Sequence, residues 1–582
     1  MTRRTPQPPA RRLVALLAVL SLGLCGILYR LVVLQVKDAS AYQAMARNEL
    51  LREIALPATR GTIFDRNAQP LAMSLPAKAV FADPAIVRNP AAEARAVASI
   101  LHLDRAEVEA KLRPAVRADG KAVRFVYLAR GVDLDVAARL AAKRLAGIGF
   151  LAESRRYYPG NELAAQVLGF VGTDGTGLDG LESQYQKILA GRPGHRVVEE
   201  DPQGVFIPQG TNEDVPPVPG EDLVLTIDQD IQYRVQSALA QAVKQNNAKG
   251  GTVIVMDPRT GEILAMVTYP WFDPGRFADY ASSRWKNGAV ANAYEPGSVN
   301  KVITAAAAIQ DGVVGLGQRF EVPDHLRLYD KVFHDAHGHP PEQMTLADIL
   351  AYSSNIGAIK VAGLLGKDRF SSYLDRFGLG HTTGLGFPGE SPGIVLPPDR
   401  WSGTSMGTIP IGQGIAVTPL QMASVYATVA NGGVWVQPSL VRGTVGEDGK
   451  MTAASPPDTR RVISGQTAST LTRMLAYAVE VGTGTEAQIP GYWVAGKTGT
   501  ALKPLPNALG YSTNKYVASF IGFLPASRPS LVIAAILDEP STEFGGIAAA
   551  PLFRQIAHVA VARLRIPPAG KPPVPQHAIG AG

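Results

Sequence analysis

Residues 13–29, LVALLAVLSLGLCGILY, run seventeen positions without a charge, and the apolar LVVLQV follows Arg30. Read as a helix over 13–36, with a rise of ~1.5 Å per residue, this stretch can cross a ~30 Å hydrocarbon layer. Arg30 falls toward the far end, where its aliphatic stem can carry the guanidinium to the interface. A cleaved signal peptide fits less well, because the apolar run is long and no A-x-A-like site follows it. LGLC at 22–25 resembles a lipoprotein signal only superficially, since bulky Leu24 precedes the cysteine. Arg3, Arg4, Arg11 and Arg12 flank the segment on its N-terminal side. They are expected to keep residues 1–12 in the cytoplasm and send the rest of the chain across the membrane.

The remaining chain must then fold without covalent staples. The only cysteine, Cys25, lies inside the anchor, so disulfides and thiolate metal sites are both excluded beyond it. With 582 residues, 46% hydrophobic and 18% charged, the chain can build two or three conventional cores. A net charge of +7, with four of the cations in the first twelve residues, does not describe a nucleic-acid-binding surface.

Residues 37–60 are expected to form a helix leaving the membrane. Short strands between breakers follow in RGTIFDRNAQPLAMSLPAKAVFADP, and the alanine-rich stretch 91–146 is expected to be helical. TNEDVPPVPGED (211–222) is proline-rich and polar, as a linker would be. Beyond it, a helix is expected at 228–246, then a hairpin of GGTVIVMD and EILAMVTYP across PRTG. Long helices follow at 298–310 and 345–364, strands at 516–525 and 530–540, and a helix at 549–564. An early hairpin and late strands with helices between them indicate an α+β domain whose sheet joins both ends of the segment. The last residues, 567–582, have the composition of a disordered tail.

Three short motifs stand in the second half. Ser298 precedes Lys301 by three positions in EPGSVNK, at the first turn of an alanine-rich helix. Ser353-Ser354-Asn355 comes 55 residues later, and Lys497-Thr498-Gly499-Thr500 a further 144 on. Alone, these are a helix cap with a solvated lysine, a second cap, and a strand end. Together and in this order they form the S-x-x-K, S-x-N, K-T-G set of penicillin-binding proteins and serine β-lactamases. Serine needs a base, and Lys301, one helical turn on, can reach Ser298. That lysine works only when neutral, so burial or a second cation such as Lys497 must depress its pKa. Ser353 could relay a proton to the leaving amine, and Asn355 could hold a substrate amide.

Two competing signals are weaker. GYWVAGKT (491–498) satisfies a phosphate-loop pattern, but the following GTALKPLPNALG cannot open a helix, and the segment lies away from ATP. HDAHGH (334–339) offers His334, Asp335, His337 and His339 to a metal. No ligand pair on a regular element supports a site, and a solvated loop that could overhang a groove is the better reading.

The likeness extends beyond the three motifs. RGTIFDRNAQPLA (60–72), SRRYYPGNELAAQVLGF (154–170), GLDGLESQYQKILAGRPG (177–194), LTIDQDIQ (225–232), GEILAMVTYPWFDP (261–274) and GQGIAVTPLQMA (412–423) resemble class B penicillin-binding proteins. These are membrane-anchored DD-transpeptidases that cross-link peptidoglycan. SLPAKAVFADP (74–84) resembles the cell-division enzymes most, although Gly412-Gln413-Gly414 stands where many division enzymes carry G-Y-G; an elongation-specific class B transpeptidase shares the general motifs and is the nearest alternative.

The resemblance implies a penicillin-binding transpeptidase fold, an antiparallel sheet flanked by helices, at 221–566. It also implies a non-catalytic, elongated pedestal of the dimerisation type at 37–220 and the anchor at 13–36. Ser298 would be the nucleophile, with Lys301, Ser353, Asn355 and Lys497 catalytic. The oxyanion hole would be the backbone N–H groups of Ser298 and Thr500, and Thr498, Gly499 and Thr500 would bind substrate. No cofactor or metal is implied. The expected partners are peptidoglycan stem peptides, β-lactams as covalent inhibitors, a polytopic membrane glycosyltransferase and other division proteins. The catalytic domain would lie in the periplasm, held at the bacterial inner membrane. A serine β-lactamase fits less well, since no E-x-x-L-N follows S-x-N. The same motifs are also compatible with a DD-carboxypeptidase, and the anchored pedestal with a catalytically idle division scaffold.

Overall fold

The computed structural model describes residues 10–39, 51–118, 120, 122–199, 213–505, 510–542 and 544–569. The chain divides into two compact units, Met1–Thr59 with Gly191–Pro219, and Arg60–Ala190 with Gly220–Gly582. In the first unit a regular helix spans Ala10–Val32 and becomes π-helical over Val33–Lys37. Leu13–Lys37 has a mean hydropathy of 2.3 and is long and apolar enough to cross a membrane. The same unit holds a three-stranded antiparallel sheet of Leu51–Leu56, Gly194–Glu199 and Glu213–Val215.

That sheet corrects two expectations. Within 37–60, residues 51–56 form a strand rather than helix, and pairing with 194–199 outweighs the local helical preference of LREIAL. Glu213–Val215 is a strand inside the stretch expected as a linker. Residues 1–9, 40–50 and 570–582 lie outside the described residues.

The second unit is organised around a five-stranded antiparallel sheet. Its strands are β1 (Gly250–Met256), β2 (Ile263–Tyr269), β3 (Ala495–Pro504), β4 (Tyr511–Leu524) and β5 (Leu531–Asp538), in the order β2-β1-β5-β4-β3. The early hairpin and the late strands therefore do share one sheet. Central strands such as β1 and β5 are apolar on both faces because both faces are covered. Alternation divides them: Val253, Val255 and Ile533 pack with Ile231, Val235 and Leu239 of α1 (Gln229–Gln245) and Phe553 and Ile556 of α5 (Ala550–Arg563). Ile254, Met256 and Val532 face the other way, toward Val302 and Ile303 of α2 (Lys301–Gln310) and Tyr426 of α4 (Pro419–Ala430). Each such buried aliphatic side chain stabilises the unit by about 1.5–3 kcal/mol. α2, which follows directly on Ser298, is thus fixed on one face of the sheet. β3 closes the order at one edge, with hydrogen-bonded neighbours on one side only.

Two helical expectations are refined. The stretch 345–364 is two helices, Leu346–Ala351 and α3 (Asn355–Leu365), because Ser353 takes a left-handed φ of 61° between them. The stretch 91–146 is Pro90–Leu101, Arg105–Leu112 and Leu134–Ala141, interrupted by a strand at Val126–Asp133. That strand and Ile148–Tyr157 both pair with Pro70–Ala82. Within this unit, the R-G-x-I-x-D-R segment is tied down by a buried carboxylate, Glu182. It accepts from Arg60 at 2.6 Å and from Arg156 at 2.7 Å.

Candidate active site

Ser298 lies in a 3₁₀ turn, Gly297–Asn300, that runs directly into α2. The turn is held from three sides. Gly297 N donates to Gly412 O at 2.9 Å, Asn300 Nδ2 to Ile409 O at 2.8 Å, and the Tyr426 hydroxyl to Val299 O at 3.0 Å. Gly297 has φ +60°, and a Cβ there would stand 2.6 Å from Thr500 O. Only glycine permits both the left-handed backbone and this approach of β3 to the Ser298 turn. Ser298 lies inside this turn, whose N-cap position is Pro296, and the helix after it starts from Asn300, so the ordinary reading of Ser298 as an N-cap does not apply.

Lys301 is 1% exposed. Its Nζ donates to Ser353 O at 2.6 Å and Asn355 Oδ1 at 2.7 Å, with Ser353 Oγ at 3.4 Å. The first and second motifs are therefore in direct contact. Burial drives the Lys301 pKa down to about 7, opposed only in part by the Asp335 carboxylate. A buried ammonium poised near neutrality can give up its proton, which is what a base for a serine requires.

Lys497, on β3, is equally buried. Its Nζ donates to Thr498 O and Thr498 Oγ1, both at 3.2 Å, and to Thr483 Oγ1 at 3.5 Å. Burial, and then the charge of Lys301, hold its pKa well below the usual lysine value. The Thr498 hydroxyl is also 2.6 Å from that of Thr483. Thr500 Oγ1 accepts from Gly545 N at 3.1 Å. Built on Gly499, a Cβ would meet Val299 Cγ1 at 3.0 Å, so the K-T-G strand lies directly against the Ser298 turn.

Three participants carried no clear sequence signal. Thr483 sits in VGTGT, where nothing distinguishes it. Tyr426 reads as one more apolar residue of a buried helix. Asp335 was visible only as a possible metal ligand. Its carboxylate instead accepts from the Ser354 hydroxyl at 2.7 Å, from Ile356 N at 3.0 Å and from Asn355 N, with His339 Nε2 at 3.1 Å. His334 O accepts from Asn355 Nδ2 at 2.8 Å. The loop at 334–339 is therefore a brace for the second motif, with Asp335 turned inward. Ser354, rather than Ser353, caps α3. Among the described residues no cluster of three His, Cys, Asp or Glu could hold a metal ion.

The arrangement joins a half-buried serine, a buried lysine near neutrality, a second buried lysine and a sheet edge strand. It suits acyl transfer to and from an extended peptide. Residues 251–558 match the penicillin binding protein transpeptidase domain, and residues 55–225 match the penicillin-binding protein dimerisation domain. The chain is 38% identical to the penicillin-binding protein PbpB of Mycobacterium tuberculosis, over 92% of this chain and 82% of that protein. It is 32% identical to the peptidoglycan D,D-transpeptidase FtsI of Escherichia coli, over 96% of this chain and 92% of that protein. Among solved structures, penicillin binding protein 3 of M. tuberculosis complexed with aztreonam superposes with a TM-score of 0.70. It is 33% identical and covers 89% of this chain and 98% of its own.

Proposed function

The chain belongs to the class B penicillin-binding proteins, and we propose that within this family it is the serine DD-transpeptidase that cross-links peptidoglycan stem peptides at the division septum. The observation that carries the mechanism is Lys301, buried, near neutrality and bonded to Ser353 and Asn355.

Lys301 takes the Ser298 proton as Oγ attacks the penultimate D-Ala carbonyl. The developing oxyanion is met by the Ser298 and Thr500 N–H groups. Ser353 passes a proton to the departing D-Ala, and the amine of a neighbouring stem then attacks the acyl-serine. Asn355 holds a substrate amide, and β3 pairs with the extended donor peptide. Thr498 and Thr500 bind its terminal carboxylate, with Gly499 between them and Lys497 supplying positive potential. A β-lactam, mimicking that terminus, acylates Ser298.

The anchor at 13–36 has its N-terminus in the cytoplasm, in the bacterial inner membrane. The pedestal at 37–220 and the transpeptidase domain at 221–566 lie in the periplasm. Strand polymerisation falls to a polytopic glycosyltransferase working with other division proteins.

The test is product analysis with a pentapeptide donor and an acceptor amine. The reading requires cross-linked dimer that depends on the acceptor. Release of D-Ala with water as sole acceptor, at every amine concentration, would make the protein a carboxypeptidase.

A further inference from the structure

α4 bonds to the nucleophile turn through Tyr426 and carries Ser424 two residues earlier, about 200° around the helix. On that other side lies a cavity of ≈ 300 Å³, lined by none of the residues of the three motifs. The volume is at the small end of ligand pockets, about 300–1,000 Å³.

Most polar groups of its wall are committed. Gln421 Nε2 donates to His381 O and Pro392 O, and its Oε1 accepts from Thr418 N. The Gln437 amide serves Gly384 O and Asp458 N. Asp375 holds His381 at 2.8 Å. Three groups of the wall have capacity left that a ligand could use. Ser424 is 2% exposed, yet its hydroxyl has no hydrogen-bond partner. A buried hydroxyl without a partner costs about 1–3 kcal/mol, a penalty that a bound polar ligand would remove. Arg460 rests its guanidinium 3.8 Å above the Trp435 ring centroid and donates from Nε to Arg376 O; it feels the charge of Asp375 in the same wall but forms no ion pair within 4 Å among the described residues. The exposed Asp458 carboxylate also belongs to the wall and has no ion pair among the described residues.

The wall thus offers a hydroxyl and a planar cation beside a carboxylate. We propose that this cavity binds a small zwitterion of amino-acid or dipeptide size, its carboxylate on Arg460 and Ser424 and its ammonium facing Asp458. Arg presents the fork geometry that carboxylates take in pairs. The inference is independent of the transpeptidase reading, because no group of the acyl-transfer site is used.

The full-length protein in detergent, labelled with 5-fluorotryptophan, has five tryptophan resonances, of which Trp435→Phe identifies one. It is titrated with glycylglycine, N-acetylglycine and glycinamide. The proposal requires the Trp435 resonance to shift saturably with glycylglycine, with each singly charged probe weaker by about tenfold or more. Arg460→Gln removes saturation, and Ser424→Ala weakens binding several-fold, while the other four resonances stay in place as the control for folding. A Trp435 resonance that does not move, that answers all three probes alike, or that saturates unchanged in both variants overturns it.

Discussion

Lys301 Nζ stands 2.7 Å from Asn355 Oδ1 and 2.6 Å from Ser353 O, so the lysine one turn after Ser298 is held by the second motif. The contact explains how a cation is retained in a site where it is 1% exposed. A carbonyl and an amide oxygen satisfy the ammonium without pairing it to a carboxylate, which would raise its pKa. Lys301→Arg keeps the charge and cannot release a proton. It should lower the rate of β-lactam acylation by about 10²–10⁴-fold, measured by stopped-flow or gel labelling, with the fold preserved by circular dichroism.

The pH dependence follows from the same group. In the proposed mechanism neutral Lys301 is the base, and its pKa lies at about 7, so the acylation rate should fall as pH drops below 7 and level off above it. Asp335 stabilises the ammonium and raises this pKa. Asp335→Asn should therefore move the midpoint to lower pH, while weakening the bracing of Ser354 and Asn355 and lowering the plateau. A midpoint that moved upward would contradict the assigned sign.

Gly297→Ala tests the fit between the nucleophile turn and β3. The new Cβ meets Thr500 O at 2.6 Å on a backbone with φ +60°. A loss of about 1–3 kcal/mol in unfolding free energy is expected. Acylation should fall by more than the unfolded fraction explains, because Ser298 and Thr500 are displaced relative to each other.

Arg60→Ala touches none of the three motifs, since Arg60 bonds to Glu182 and Gln186. Glu182 is 0% exposed and would keep Arg156 alone, leaving its charge poorly compensated. The expected cost is about 3–5 kcal/mol, read by thermal or denaturant unfolding. Adding Glu182→Gln should recover part of it, and acylation per folded molecule should be unchanged.

The chemistry of this chain was more legible than its architecture. Ser298, Lys301, Asn355 and Lys497 have residue types and spacing that chemistry restricts, and the sheet strands are apolar on both faces, which marks them as buried. The break at Ser353 falls in Ser-Ser-Asn, a cap pattern of weak helical preference, but the apolar spacing of 345–364 reads on through it. It is imposed by Asp335, nineteen residues before Ser354, whose carboxylate anchors the new helix start. Residues 51–56 illustrate the converse. A segment of helical preference pairs with a strand more than 130 residues away, and only tertiary structure holds that information. Thr483 and Tyr426 reach the site by folding alone, through contacts to Thr498 and Val299.

The central claim is that Ser298 forms an acyl-enzyme. The most direct measurement is mass spectrometry of the protein after penicillin treatment, with peptide mapping and a time course, wild type beside Ser298→Ala. The account predicts one adduct on the Ser298 peptide, persisting over many minutes and absent from the variant. An adduct retained in Ser298→Ala, or penicillin rapidly hydrolysed with no adduct held, would contradict it.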